Sequence, residues 1–164
     1  KVSGEVVEDI ALANNIKREG FKLIFLLALD GLELKMYDNL PALWEGWTKN
    51  WFIGLDQNVL KSISASTIVL IMFTGPWIVF FSGIVDFLFI QQFGISIVEM
   101  SLSFLAISLQ FILRVWSRQK FKLPITYWWL MGAGGVIIGA IGPVSAWKTI
   151  TGQGWTWKGR NLGY

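Results

Sequence analysis

The sequence predicts a two-part fold: a short α/β piece and an amphipathic helix, followed by an α-helical membrane domain of about three segments. Three observations predict it. The chain of 164 residues is 54% hydrophobic with ten tryptophans, and its mean hydropathy of +0.54 is far above that of a soluble domain. Its charge is uneven: residues 1–61 hold seven Lys/Arg against nine Asp/Glu, a net of −2, and residues 62–164 hold seven against two, a net of +5. Finally, no Lys or Arg occurs from Ser62 to Leu113 and no charge of either sign from Leu123 to Trp147. Each of those stretches is long enough for at least one span of about 20 residues.

From Val6 to about Arg18 the spacing of Val6, Ile10 and Ala13 suits a helix, with Gly20 where a C-terminal cap would sit. The next stretch, FKLIFLLALDGLELKMY (21–37), reads as two β-leaning runs joined by Asp30-Gly31, a dipeptide that suits a tight hairpin turn. About 40 residues are too few to bury an α/β core alone, so this piece is expected to complete a larger sheet. The chain opens on Lys1 almost directly ahead of the first helix, from which a fragment with a preceding N-terminal portion is expected.

Residues 38–58 change character. Asp38 or Asn39 can cap a helix that has Pro41 in its first turn. At 100° per residue Leu40, Leu43, Trp44, Trp47, Trp51 and Leu55 fall within a stripe of roughly 120°, with Glu45 and Lys49 opposite. Such a helix lies in the headgroup layer.

Three membrane segments follow, at about 64–85, 95–113 and 125–146. Pro76 is expected to kink the first. The third carries GAGGVIIGAIGP, small residues that permit close packing or a break. The cluster Arg114, Arg118, Lys120 and Lys122 should be cytoplasmic, and the loop around 82–96, without Lys or Arg, outside. Three full crossings would then leave Lys148, Lys158 and Arg160 outside, against the same rule. Either the tail is translocated or one segment is re-entrant, the Gly-rich third being the candidate.

With no cysteine and no histidine, disulfides, thiolate chemistry and Cys zinc sites are excluded, and the commonest general base is missing. Acid or base catalysis must use carboxylates. Glu8 and Asp9 are adjacent acids at a helix start, where the macrodipole alone favours them by about 0.3–1 kcal/mol. Lys49 pairs equally well with Glu45 as an i,i+4 surface pair, and Trp44, Trp47 and Trp51 suit a membrane anchor. Lys158 and Arg160 suit contact with anionic headgroups. Asp86 and Glu99 lie near the ends of apolar segments, and no role is assigned to them.

The order of these features resembles the C-terminal part of membrane-bound family 2 glycosyltransferases with a GT-A catalytic domain. GEVVEDIALANNIKREG looks like that family's ED segment, and MYDNLPALWEGWTKNWFIG like the segment after its last strands. WTWKGRNLGY is similar to the closing motif of the carotenoid, hopanoid and ceramide-type branch. The resemblance implies a GT-A fragment over 1–38, an interfacial helix over 39–60, membrane helices over 61–147 and a basic, Trp-rich tail over 148–164.

It further implies an inverting transfer of sugar from a nucleotide-sugar donor to the hydroxyl of a lipid acceptor on the cytoplasmic side, with Asp9 as general base and Glu8 supporting it. The two roles can be exchanged. Relatives of the cellulose-synthase type carry Gln-x-x-Arg-Trp on the interfacial helix. This chain has EGWTKNW instead, leaving Lys49 and Trp47 as donor-binding candidates, Trp44 and Trp51 as acceptor or membrane contacts, and Lys158 and Arg160 as candidates for phosphate. A divalent cation, Mg or Mn, is implied for the full-length enzyme. Its Asp-x-Asp motif is absent from this chain, so no metal ligand is expected here, and no nucleic-acid partner. Two alternatives remain: a fragment of a processive polysaccharide synthase, and a non-catalytic membrane protein such as a transporter subunit or assembly factor.

Overall fold

The computed structural model describes residues 8–24, 26, 31, 35–91, 93–153, 155–157 and 160–162. Among these residues six α-helices dominate: α1 (Glu8–Arg18), α2 (Leu40–Gly54), α3 (Val59–Phe73), α4 (Gly75–Val85), α5 (Phe93–Phe121) and α6 (Met131–Ile150). Among the described residues the strands are β1 (Trp155–Trp157) and β2 (Arg160–Leu162), one antiparallel pair with Trp155 opposite Leu162.

The α/β, GT-A-type fragment expected over residues 1–38 is therefore overturned. Residues 21–24, 26 and 35–37 have no regular structure and Gly31 is in a turn, and the remainder of the expected hairpin, including Asp30, lies outside the described residues. The physical reason is that a two-stranded hairpin is marginal unless a larger sheet or a helix covers its apolar face. Among the described residues of this stretch Phe21, Ile24, Leu26 and Met36 are exposed, Leu26 to 81%.

The chain divides into two compact units, residues 1–65 with 141–164 and residues 66–140. In the first, α1 ends as its sequence suggests. Gly20 adopts φ +82°, the Phe21 N–H donates to the Ile16 carbonyl and the Gly20 N–H to that of Lys17, the pairing of a Schellman cap. Asn39 caps α2, its Oδ1 accepting from the Ala42 N–H at 2.9 Å. Asp56 and Gln57 then take left-handed φ values of 59° and 54°, ending α2 earlier than expected. Asn58 Oδ1 restarts the helix by accepting from the Lys61 N–H.

In the second unit α3 and α4 are bent by 42°. Pro76 stands in the first turn of α4 and has no N–H to continue the ladder. A π-helical turn, Asp86–Ile90, closes α4, and α5 packs along α4. Gly83 makes that contact possible, since a Cβ there would meet Met100 Cγ at 2.8 Å. The glycine-rich segment packs rather than breaks: α6 is continuous from Met131 to Ile150. A Cβ at Gly135 would lie 2.5 Å from Thr74 Oγ1.

Large apolar side chains, among them Ile71, Phe81, Leu102, Phe104 and Val136, are exposed along these helices, as in a protein solvated by hydrocarbon. Phe93–Phe121 and Trp128–Ile150 are each long and apolar enough to cross a membrane, and Val59–Phe73 with Gly75–Ile90 forms a third if the bent pair is one span. The chain is thus membrane-associated through transmembrane-type helices. The break falls in the first segment, where Pro76 removes a backbone donor, and not in the Gly-rich third.

Candidate functional site

The first unit is organised around α2, whose face opposite the tryptophan stripe is turned into the unit. Thr48, Lys49 and Phe52 are buried, Lys49 being only 9% exposed, whereas Trp47 on the tryptophan face is 39% exposed. Gly46 is also buried, and the Tyr37 ring sits where its Cβ would be, with Cε1 2.6 Å away. The face read as polar is thus turned into the unit, and the tryptophan face away from its interior.

What sets this orientation is a hydroxyl from a residue 97 positions away. Ser145 Oγ, fully buried in α6, accepts from the Phe52 N–H at 3.0 Å and donates to the Thr48 carbonyl. In an uninterrupted α-helix that amide and that carbonyl would bond to each other. Ser145 therefore bridges successive turns of α2 and joins α2 to α6. The Trp51 indole donates to the Ser62 carbonyl at 3.4 Å, and Ser62 Oγ donates to the Gly142 carbonyl at 3.3 Å. Together these bonds fix α2 against the start of α3 and the end of α6.

Trp47 and Trp51 stack at a centroid distance of 6.2 Å. They line a groove of about 260 Å³ with Asn50, Gly54, Leu55 and Ala65. Its lining is mostly apolar, with Asn50 the amide-bearing residue among those that form it. Such a groove can hold an alkyl or isoprenoid chain and offer one polar group to its head.

The remaining candidates are distributed as follows. Asp9 is exposed in the first turn of α1, and its Oδ1 accepts from the adjacent Ile10 N–H at 3.0 Å. It does not line the groove. Glu8 begins α1, but its side chain lies outside the described residues, as does all of Lys158. Trp44 is half-buried, one turn before Thr48, whose Oγ1 donates to the Trp44 carbonyl at 2.6 Å. Arg160 belongs to β2, and β1, from the same closing segment, lies against α2. Lys49 and Trp47 project from different sides of α2, one buried and one exposed, so they do not share the groove. Among the described residues no group of three or more His, Cys, Asp or Glu could hold a metal ion. The implied divalent cation therefore has no fitting site in the described part of the chain.

The second unit contains a polar group that no motif announced. Gln110, in the middle of α5 and 6% exposed, donates from Nε2 to the carbonyls of Met72 at 2.9 Å and Phe73 at 3.1 Å. Its Oε1 accepts from the Trp77 indole at 3.0 Å. Proline cannot donate to Met72, so Gln110 supplies what the broken ladder lacks, as an irregular backbone in hydrocarbon requires. Thr74 Oγ1 donates to the Gly132 carbonyl at 2.7 Å, which ties the same break to α6. A Gln within the apolar stretch of α5, opposite a proline break, was the available signal.

Comparison with protein-family models, with curated proteins and with solved structures finds no match for this chain.

Proposed function

We propose that this chain is the membrane-side part of an inverting glycosyltransferase that moves a sugar from a nucleotide donor to the hydroxyl of a lipid. The observation that carries the proposal is a clustering of motifs. The Glu8–Asp9 helix, the tryptophan-rich α2 and the closing WTWKGR segment are scattered over the length of the sequence, yet all three belong to one compact unit. The unit made of residues 66–140 contains none of them. Supporting it, β1 of the closing segment lies against α2, and α2 carries an apolar groove with one polar lining residue.

In this proposal the groove receives the lipid chain and Asn50 orients its head. Asp9 takes the proton from the acceptor hydroxyl, that oxygen bonds to the anomeric carbon, and the bond from that carbon to the nucleoside diphosphate breaks. A single displacement inverts the configuration. The basic tail would meet the donor's phosphates, whereas Lys49, turned into the unit, would not. The charge bias of the loops puts the reaction on the cytoplasmic side. A carotenoid, hopanoid or sphingolipid-like acceptor is preferred to a growing polysaccharide because of the closing motif.

The test is the complete polypeptide in its own membranes, incubated with a panel of labelled nucleotide sugars and extracted for lipid. Label in the lipid fraction with one donor is expected. Asp9→Asn should abolish transfer and leave donor binding intact; unchanged turnover removes Asp9 from the mechanism. A specific observation favours a second reading, a non-catalytic membrane protein: the Asp9 carboxylate is engaged with its own helix start, as a structural acid would be. Absence of lipid label with every donor would support it.

A further inference from the structure

We infer that the turn between α5 and α6 is a binding surface for the headgroups of anionic phospholipids. This inference is independent of the glycosyltransferase reading. From Phe93 to Leu113 α5 carries one charge, Glu99, and at about 1.5 Å per residue this stretch is about 31 Å long, the thickness of a hydrocarbon core. Arg114, Arg118 and Lys120 follow on the last two turns of the same helix, with Arg118 and Lys120 exposed. They therefore stand at the depth of the lipid phosphates. Residues 66–140 include two acids, Asp86 and Glu99; Glu99 is fifteen residues before Arg114, about 22 Å along the helix.

The turn is built rather than loose. The Arg114 guanidinium donates twice to the Pro124 carbonyl, from Nε at 2.9 Å and from Nη2 at 2.6 Å. The Lys122 N–H closes the helix on the Arg118 carbonyl, with Lys122 at φ +55°. Exposed aromatic side chains stand around it: Trp116, Tyr127 and Trp129. Amphipathic rings of this kind settle at headgroup level, and the cations beside them face phosphate. The ammonium of a zwitterionic headgroup cancels its phosphate charge, whereas an anionic headgroup keeps a net negative charge for these cations, so selectivity for net negative lipid follows. Each basic residue at such a surface changes affinity about five-fold.

The experiment uses the full chain purified in detergent and native mass spectrometry, with phosphatidylglycerol and phosphatidylcholine of equal chain length supplied as an equimolar mixture. We expect phosphatidylglycerol adducts to dominate. The double variant Arg118→Gln, Lys120→Gln should lose about twenty-five-fold in phosphatidylglycerol affinity with phosphatidylcholine adducts unchanged, and Arg118→Lys, Lys120→Arg should restore the preference. Equal adducts of both lipids on the unaltered chain overturn the inference whatever the variants do. So does a preference that survives the double substitution, or inorganic pyrophosphate displacing phosphatidylglycerol at equal concentration, which would assign the turn to soluble phosphates.

Discussion

Gln110 and Ser66 are opposite cases of a polar side chain in an apolar helix. Gln110 satisfies two carbonyls and one indole; Ser66 Oγ is buried and, among the described residues, has no hydrogen-bond partner. A buried group left unpaired costs about 1–3 kcal/mol, so the two substitutions should differ in sign. Gln110→Leu strands the Met72 and Phe73 carbonyls and the Trp77 N–H together, and should lower unfolding free energy by about 3 kcal/mol or more, read from SDS titration in mixed micelles. Ser66→Ala removes a hydroxyl that gains nothing and should leave stability unchanged or raise it, by up to about 1 kcal/mol. A loss in Ser66→Ala equal to that in Gln110→Leu would contradict the hydrogen-bond assignment.

Among the elements, α2 and α6 are joined through Ser145. Ser145→Ala removes the bridge but lets the Phe52 N–H and Thr48 carbonyl pair with each other, so the cost should be about 1 kcal/mol. Ser145→Val keeps a branch wedged between the two groups and gives neither a partner, so its cost should be about 2–4 kcal/mol. The same titration distinguishes them, and equal losses would mean that α2 does not close its own ladder. At the α3–α6 contact, Gly135→Leu should be worse than either, because a Cβ already lies 2.5 Å from Thr74 Oγ1 and 3.0 Å from Phe73 Cβ. Failure to obtain folded protein, or a loss of about 3 kcal/mol or more, is expected. Normal stability would mean that the helices are further apart than described.

Over the whole molecule, features set by nearby residues were legible in the sequence and features set by distant ones were not. The Gly20 cap, the Asn39 cap, the Pro76 bend and the close-packing glycines each follow from one residue and its neighbours. The hairpin expected at 21–37 failed because a strand depends on partners that the run itself does not specify; Phe21, Leu23, Ile24, Leu26 and Met36 are exposed instead. The burial of the α2 face opposite the tryptophans was not legible for a related reason. Its wheel shows a tryptophan stripe and a charged face, but the residues that decide which face is buried, Ser145 and the closing strand, lie about a hundred positions further on. Of the candidate site, the membership of the tryptophan groove was partly legible through Trp47 and Trp51. Asn50 and Ala65 were not, since a groove between consecutive helices depends on the tight turn at Asp56 and Gln57. Lys49 was named for its charge, and its burial could not be seen from a pattern that puts it opposite the apolar stripe.

The central structural claim is that α2 presents its tryptophans to the lipid interface and turns Lys49 into the protein. The chain contains no cysteine, so a single nitroxide can be placed by Trp47→Cys or Lys49→Cys in the full chain reconstituted in bilayers, and its accessibility to oxygen and to a water-soluble nickel chelate measured. The label at 47 should be reached by oxygen at headgroup depth, and the label at 49 by neither reagent. A label at 49 open to the nickel chelate, with the label at 47 inaccessible to both, would contradict the account.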